Sequence, residues 1–301
     1  MKVWELNPEA AGYPAGLVDL DPGERPAPLY CAGRPEAIAT LDQPAVTIVG
    51  SRQASGYGLR VAERLAHDLA VAGVTVVSGL ARGIDAAAHR GALAGGGVTI
   101  AVLANGPDVV YPRSNRHLYE RILASGALVS ERPPGVVARP GWFVARNRIM
   151  AALANVVVIV EAAQPSGTLV TADRALRLGR TVGAIPGQVG VRVAEGTNDL
   201  LKDGAAFVRD ARDVLDLLFG VGASASQPDR APVRRPGPAL DKRLEAVLGL
   251  VGAGAATVER VSLDGDLAPS DAARALTRLE LLGYIDCDAL GAYRRTDLAA
   301  P

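Results

Sequence analysis

Lysine is nearly missing from this 301-residue chain, with only Lys2, Lys202 and Lys242 among its 32 basic residues. Cationic recognition therefore falls to arginine, whose planar fork holds phosphate through paired hydrogen bonds, although genomic base composition produces the same bias. Net charge is missing too. The 32 acidic residues cancel the basic ones, so no global field draws in a polyanion and any nucleic-acid site must be local. Cys31 and Cys287 lie far apart, without Cys or His neighbours at ligand spacing, which excludes a disulfide framework and a zinc site and fits a reducing compartment. The amino end, MKVWELNPEAAGYP, carries Trp and Glu where a secretory signal needs apolar residues. The longest aliphatic run, Val156 to Val160, is too short to span a bilayer. These absences predict a cytoplasmic protein with no membrane association and no resident metal or cofactor. Aromatic residues make up 4% of the chain, so base-stacking candidates are few. Tyr57, Tyr111 and Phe143 are the plausible ones, each equally suited to a core.

A hydrophobic content of 49% suffices for a substantial core, and the length suggests two domains. From Val46 to about Phe219, short aliphatic runs such as VTIVG, VTVVSG, VTIAVL and VVVIV alternate with amphipathic stretches such as YGLRVAERLAHDLAVAG. That alternation predicts an α/β fold in which a parallel-rich sheet is covered by helices on both faces, ligands gathering at the carboxyl ends of the strands. Residues 1–45 read as a leader packing on this domain. Residues 220–238, GVGASASQPDRAPVRRPGP, lose periodicity and read as a linker. Residues 239–298 read as a small C-terminal winged-helix domain: a helix from about Asp241 to Val251, a short segment ATVERVSLDG, a second helix APSDAARALTRLELLG and a strand–turn–strand.

Several turns on the sheet edge have anion-binding composition. Gly50-Ser51-Arg52 leads from a strand into a helix, where small residues and the helix start face a ligand. Its spacing is neither that of a dinucleotide turn nor that of a P-loop. A glycine turn demanded by tight strand–helix geometry, with Arg52 solvated, explains it equally well. Gly79 and Arg82 lie in a second such turn, with Asp85 placed to cap the following helix and His89 in a packing or hydrogen-bonding role. Arg113 precedes Ser114, a candidate cap, and Asn115; a cation at a helix start is misplaced for stability and hints at an anionic ligand. Arg146, Asn147 and Arg148 form a further polar block, and Ser166, Gly167 and Thr168 open another helix.

In order, VGSRQASGYG, SGLARGIDAAAHRGAL, GPDVVYPRSN, SERPPG, FVARNRIMAAL, VEAAQPSGTLVTA, IPG and GTNDLLKDGA resemble the DNA-processing protein A (DprA/Smf) family from roughly Tyr13 to Phe219. The resemblance implies an extended Rossmann-like domain that binds single-stranded DNA, forms a homodimer and loads the RecA recombinase in natural transformation, with no catalytic turnover. It implies DNA contacts at Arg52 and Arg113, donors from Gly50, Ser51 and the Ser166-Gly167-Thr168 turn, and Arg146 and Arg148 on the rim. Many relatives also carry an amino-terminal helical domain, for which the leader is too short.

Two other readings compete. A phosphoribohydrolase of related fold uses Gly-Gly-x-Gly-Thr-x-x-Glu; here Thr171 occupies the glutamate's position, and Glu131 and Glu161 have no partnered acid, base or metal cluster nearby in sequence. A double-stranded-DNA regulator would read duplex through the helix Ala268 to Leu282. That helix carries Arg274 and Arg278 but also Asp271 and Glu280, as a solvated face does; Arg294 and Arg295 of the wing remain as phosphate contacts.

Overall fold

The computed structural model describes residues 2–221, 235–252, 257–287, 292–296 and 298–299. Most of the expected linker, 222–234, lies outside them. The chain divides into two compact units, Met1–Ser226 and Gln227–Pro301.

The first unit runs β1 (Val3–Leu6), β2 (Leu29–Gly33), α1 (Pro35–Ala39), β3 (Ala45–Val49), α2 (Gly56–Val71), β4 (Thr75–Ser78), α3 (Ile84–Ala94), β5 (Thr99–Leu103) and α4 (Arg116–Ser125). It continues through β6 (Ala127–Ser130), α5 (Pro140–Ala152), β7 (Val156–Ile159), α6 (Gly167–Arg177), β8 (Thr181–Ala184), α7 (Arg192–Lys202), β9 (Ala206–Phe207) and α8 (Ala211–Phe219). The nine strands form one sheet in the order β1-β2-β6-β5-β4-β3-β7-β8-β9. From β6 to β9 every pairing is parallel. The β-branched runs of β3 and β7 are buried on both faces, and their period of two divides them between cores. Ile48 and Val158 point to the α2, α3 and α8 side, whereas Val49, Val157 and Ile159 point to the α5 and α6 side. Helix α2 places Ala62, Leu65, Ala66, Leu69 and Ala70 on its buried stripe, at the helical period.

The leader does more than pack on the domain. It adds β1 and β2 as antiparallel strands at the β6 edge, with Cys31 paired opposite Val129. Tyr13, Leu17, Leu20 and Leu29 join the main core, and Tyr13 Oη donates to Pro26 O at 2.8 Å. Cys31 is fully buried, and burial pushes its thiol up to about 12, so it behaves as an inert core side chain.

The second unit holds β10 (Arg235–Pro236), α9 (Lys242–Gly252), α10 (Val258–Asp264), α11 (Pro269–Leu281), β11 (Ile285–Cys287), β12 (Tyr293–Arg295) and β13 (Leu298–Ala299). Strands β11 and β12 pair antiparallel, and β10 pairs parallel with β13. Leu244, Val247, Leu248, Val261, Leu276, Leu279 and Tyr284 form its core. The short segment ahead of α11 forms helix α10, capped by Thr257, whose Oγ1 accepts from Arg260 N at 3.3 Å. No helix among the described residues is long and apolar enough to cross a membrane.

Candidate nucleic-acid interface

Strand β3 lies between β4 and β7, so the chain leaves it toward one face and leaves β7 toward the other. A crevice opens at such a switch point. Because β3 to β9 run parallel, the loops after β3, β4, β5, β6 and β7 all emerge on this edge. Three of them are stitched through the backbone. Ser51 N donates to Glu161 O at 2.8 Å, and Ile84 N donates to Ser51 O at 3.2 Å. Gly83 makes the second contact possible: its φ is +80°, and a Cβ there would stand 2.2 Å from Ser51 O. Gly50 packs against Ile84 and the Glu161 carbonyl.

The start of α2 is already occupied by the protein's own carboxylate. Glu161 is 4% exposed; its Oε2 accepts from Ser55 N at 2.9 Å and its Oε1 from Ser55 Oγ, while Ser55 Oγ accepts from Gly58 N at 3.0 Å. A buried anion at a helix N-terminus is favoured by the unpaired N–H groups and the macrodipole. The expectation that a phosphate would rest on this helix start is corrected accordingly. What the turn offers outward is the exposed Arg52 and the backbone before Ser55.

Arg52 lies over an aromatic pair. Its guanidinium carbon is 4.9 Å from the Phe143 ring centroid, and the Phe143 and Tyr111 rings are 5.3 Å apart, tilted by 40°. Arg113, two residues beyond Tyr111, is exposed, as is Arg82 in the β4–α3 turn. Arg139 stands just ahead of α5 without a capping side-chain bond and lies 5.2 Å from the Trp142 ring, over which Arg132 also sits at 4.2 Å. Among the described residues no carboxylate pairs with Arg52, Arg82, Arg113 or Arg139, whereas Arg90, Arg148, Arg174 and Arg180 elsewhere in the unit each have one. Cations left without counter-ions on one edge form a local positive field in a neutral chain.

The 146–148 block is not on the rim. Arg146 is 3% exposed, and its Nη1 donates to Gly79 O at 2.8 Å and to Val102 O. Burial lowers its pKa to about 10, with Asp85 opposing the shift. A Cβ on Gly79 would run into this guanidinium, so the turn is bare because a buried arginine supports it from beneath. Asp85 is not the cap of α3 either. Gly83 holds that position, and Asp85, one residue inside the helix and 5% exposed, accepts from Ala81 N at 3.4 Å and faces Arg146. Burial pushes its carboxyl up, and Arg146 offsets part of that rise. Arg148 is spent on Glu131, at 3.1 and 2.6 Å, and on Glu24 O at 2.8 Å. Charge alone suggested exposure for both arginines; long-range partners decide otherwise.

The two asparagines act on loops. Asn115 Nδ2 donates to Leu80 O at 3.0 Å and Ala81 O at 3.3 Å, holding Leu80 at a φ of +56°. Asn147 Nδ2 donates to Gly167 O at 3.1 Å, fixing the entry to α6, where Ser166 takes the cap position and Gly167 and Thr168 form the first turn. Ser114 caps nothing, since Asn115 precedes α4. His89 is buried as expected, its Nδ1 2.7 Å from Thr99 Oγ1, and burial pushes the imidazole down to about 3, keeping it neutral. Sequence reasoning passed over Arg132, Arg139 and Trp142, although the run Arg-Pro-Gly-Trp-Phe at a helix start, cation beside aromatics, carried the signal.

These features define a Rossmann-like protein whose strand-end edge carries exposed arginines, one of them lying over an aromatic pair, while the buried acids at the starts of α2 and α3 are consumed structurally. A family model for DNA recombination-mediator protein A matches residues 5–219, and the chain belongs to that family. It is 39% identical over 288 residues to a putative DNA processing protein DprA of Mycobacterium tuberculosis, covering 94% of this chain and 72% of that one. Protein Smf of Escherichia coli is 38% identical over 282 residues, covering 91% and 72%. Among solved structures, DNA processing protein A from Streptococcus pneumoniae superposes with a TM-score of 0.67 at 38% identity, covering 71% of this chain and 74% of that one. DNA processing protein A from Helicobacter pylori, described by its single-stranded DNA binding mode, gives 0.64 at 30%, covering 72% and 95%. The family is one of recombination mediators, not enzymes, and the phosphoribohydrolase alternative falls with it. Thr171, where that signature needs its glutamate, is 1% exposed within α6.

Proposed function

We propose that this protein binds single-stranded DNA along the β3–β7 edge, chiefly through the phosphate backbone, and presents it for homologous recombination. The observation that carries the reading is the set of exposed arginines without carboxylate partners on the loops of this one edge, with Arg52 lying over the Phe143–Tyr111 pair. Arg52 and Arg113 take phosphates, Gly50, Ser51 and Thr168 line the path, and Arg82 widens the basic edge. Gly79, Asn115, Arg146, Asn147, Arg148, Ser166 and Gly167 keep the loops in place. The relative whose structural description names single-stranded DNA binding supports the choice of ligand. Loading of RecA, homodimerisation and a cytoplasmic place of action in natural transformation belong to the same proposal, on family grounds. Pairing two short crevices raises affinity through effective concentration. The second unit enters as a winged-helix module. Arg274 lies 3.5 Å from Asp271 and Arg278 3.6 Å from Asp241, so the cations of its last long helix stand among carboxylates, as on an ordinary solvated face.

The test is anisotropy of a labelled oligothymidylate across a salt series. Binding should weaken with a log–log slope of about −0.7 per neutralised phosphate. Arg52→Ala and Arg113→Ala should each lower affinity and flatten the slope by about one such unit. Unchanged affinity and slope in both variants would place the strand elsewhere.

A further inference from the structure

The crevice accounts for Arg52, Arg113 and the Phe143–Tyr111 pair but leaves a second cation–aromatic group unused. Trp142, the neighbour of Phe143 in the first turn of α5, lies 4.2 Å from the Arg132 guanidinium and 5.2 Å from that of Arg139. The positive charge of this group is not balanced. Arg132 reaches Glu131 only at 3.5 Å, and both oxygens of that carboxylate are already bonded by Arg148, at 3.1 and 2.6 Å. Arg139 has no carboxylate at all among the described residues, and Arg132 Nε is buried without an acceptor. One carboxylate therefore serves two arginines, and Arg139 adds a third positive charge with none.

Position adds to charge. Arg132 and Arg139 bracket the loop after β6, on the same sheet edge as the crevice loops. Consecutive residues of a helix point about 100° apart, so the Trp142 and Phe143 rings are adjoining surfaces rather than one stack. A guanidinium lying flat on a ring keeps its N–H edge free for phosphate, and an indole accepts any base face.

We infer that Trp142, with Arg132 and Arg139, forms a second station for single-stranded nucleic acid: a base stacks on the indole while the two arginines turn their edges to the flanking phosphates. The inference rests on the crevice being a strand-binding site. It gives the strand a direction of exit, from the Arg52–Phe143 station across the start of α5.

The experiment uses the full chain carrying Trp4→Phe, which leaves Trp142 as the single indole, since the sequence has two tryptophans. Oligothymidylates of increasing length are titrated while tryptophan emission and the anisotropy of a labelled strand are both followed. Long strands should quench Trp142, and the shortest strands that still bind should not. Trp142→Ala should weaken long strands about tenfold, as expected for one lost stack, and leave the short ones unchanged; Trp142→Phe should recover most of the loss. Arg139→Ala should flatten the salt slope for long strands only, by about 0.7. Strand binding with no quenching and an unaltered Trp142→Ala variant overturns the station while leaving the crevice reading intact. Failure of the parent chain to bind any strand overturns the crevice reading itself. Circular dichroism of Trp142→Ala and Trp142→Phe verifies folding, and an equal loss of affinity for short and long strands assigns Trp142 to the scaffold and also overturns the station.

Discussion

Replacing Arg146 by methionine separates a supporting arginine from a contacting one. The guanidinium is 3% exposed, bonds the carbonyls of Gly79 and Val102, and faces a carboxylate, Asp85, that is itself 5% exposed. Removing one member of such a pair ordinarily costs about 3–5 kcal/mol, because the remaining charge is left uncompensated. Against a domain stability on the order of 5–15 kcal/mol, that is a large share. The loss should depend on pH. Burial already raises the Asp85 carboxyl, and without Arg146 it rises further. A raised carboxyl keeps its proton in the folded state after the unfolded chain has lost its own. Stability is then fully present below the unfolded pKa and declines as pH rises through the folded one. Urea unfolding of Arg146→Met should therefore show a larger deficit at pH 8 than at pH 5, and adding Asp85→Asn should recover much of it at pH 8. Oligothymidylate affinity, measured where the variant is folded, should fall far less than for Arg52→Ala. Wild-type stability combined with severely weakened binding would refute the argument and return Arg146 to the rim.

Other expectations follow from the same geometry. Glu161→Gln keeps an acceptor for Ser55 but removes the charge at the start of α2, and should cost about 1–2 kcal/mol in urea unfolding; a stabilised variant would contradict a seated anion. His89, held neutral by burial with its pKa pushed down to about 3, makes the fold lose stability as pH falls from the ordinary histidine range toward that value. Between pH 7.5 and 5 the loss should be about 2 kcal/mol, and His89→Gln should be flatter across that window by the same amount. Equal pH dependence in both proteins would remove His89 as its source. Gly83→Ala combines a φ of +80° with a contact on Ser51 O, and should lower the urea midpoint and weaken strand binding together; a loss in only one of the two would uncouple the β3 and β4 turns.

The alternation of apolar strands with amphipathic helices made the sheet legible between Val46 and Phe219, because its central strands β3, β5 and β7 are buried on both faces and so read as near-continuous aliphatic runs. Strands β1 and β2 were not legible. VWEL and LYCAG sit in a proline-containing leader; LYCAG finds its place by pairing with β6, nearly a hundred residues away, and VWEL by pairing with LYCAG. In the site, the turns and the exposed arginines at 52, 82 and 113 were readable because anion chemistry is local. The inward course of Arg146 was not, since its acceptors at positions 79 and 102 and its counter-charge at 85 are distant in sequence. Asp85 and Ser114 were read as caps from their spacing; the helices begin elsewhere because a left-handed glycine and a 3-10 turn set the entry angles.

The carboxylate of Glu161 at the start of α2 bears on selectivity. It is a ligand that never leaves: tethered by its own strand, it competes with any diffusing anion at an effective concentration no free metabolite matches. A mononucleotide, with one phosphate to offer, would have to evict this tenant. A polymer need not, because it gathers its affinity from several neighbouring contacts at once. A seat already taken should therefore favour length over identity, which competition of mononucleotide against oligothymidylate would reveal.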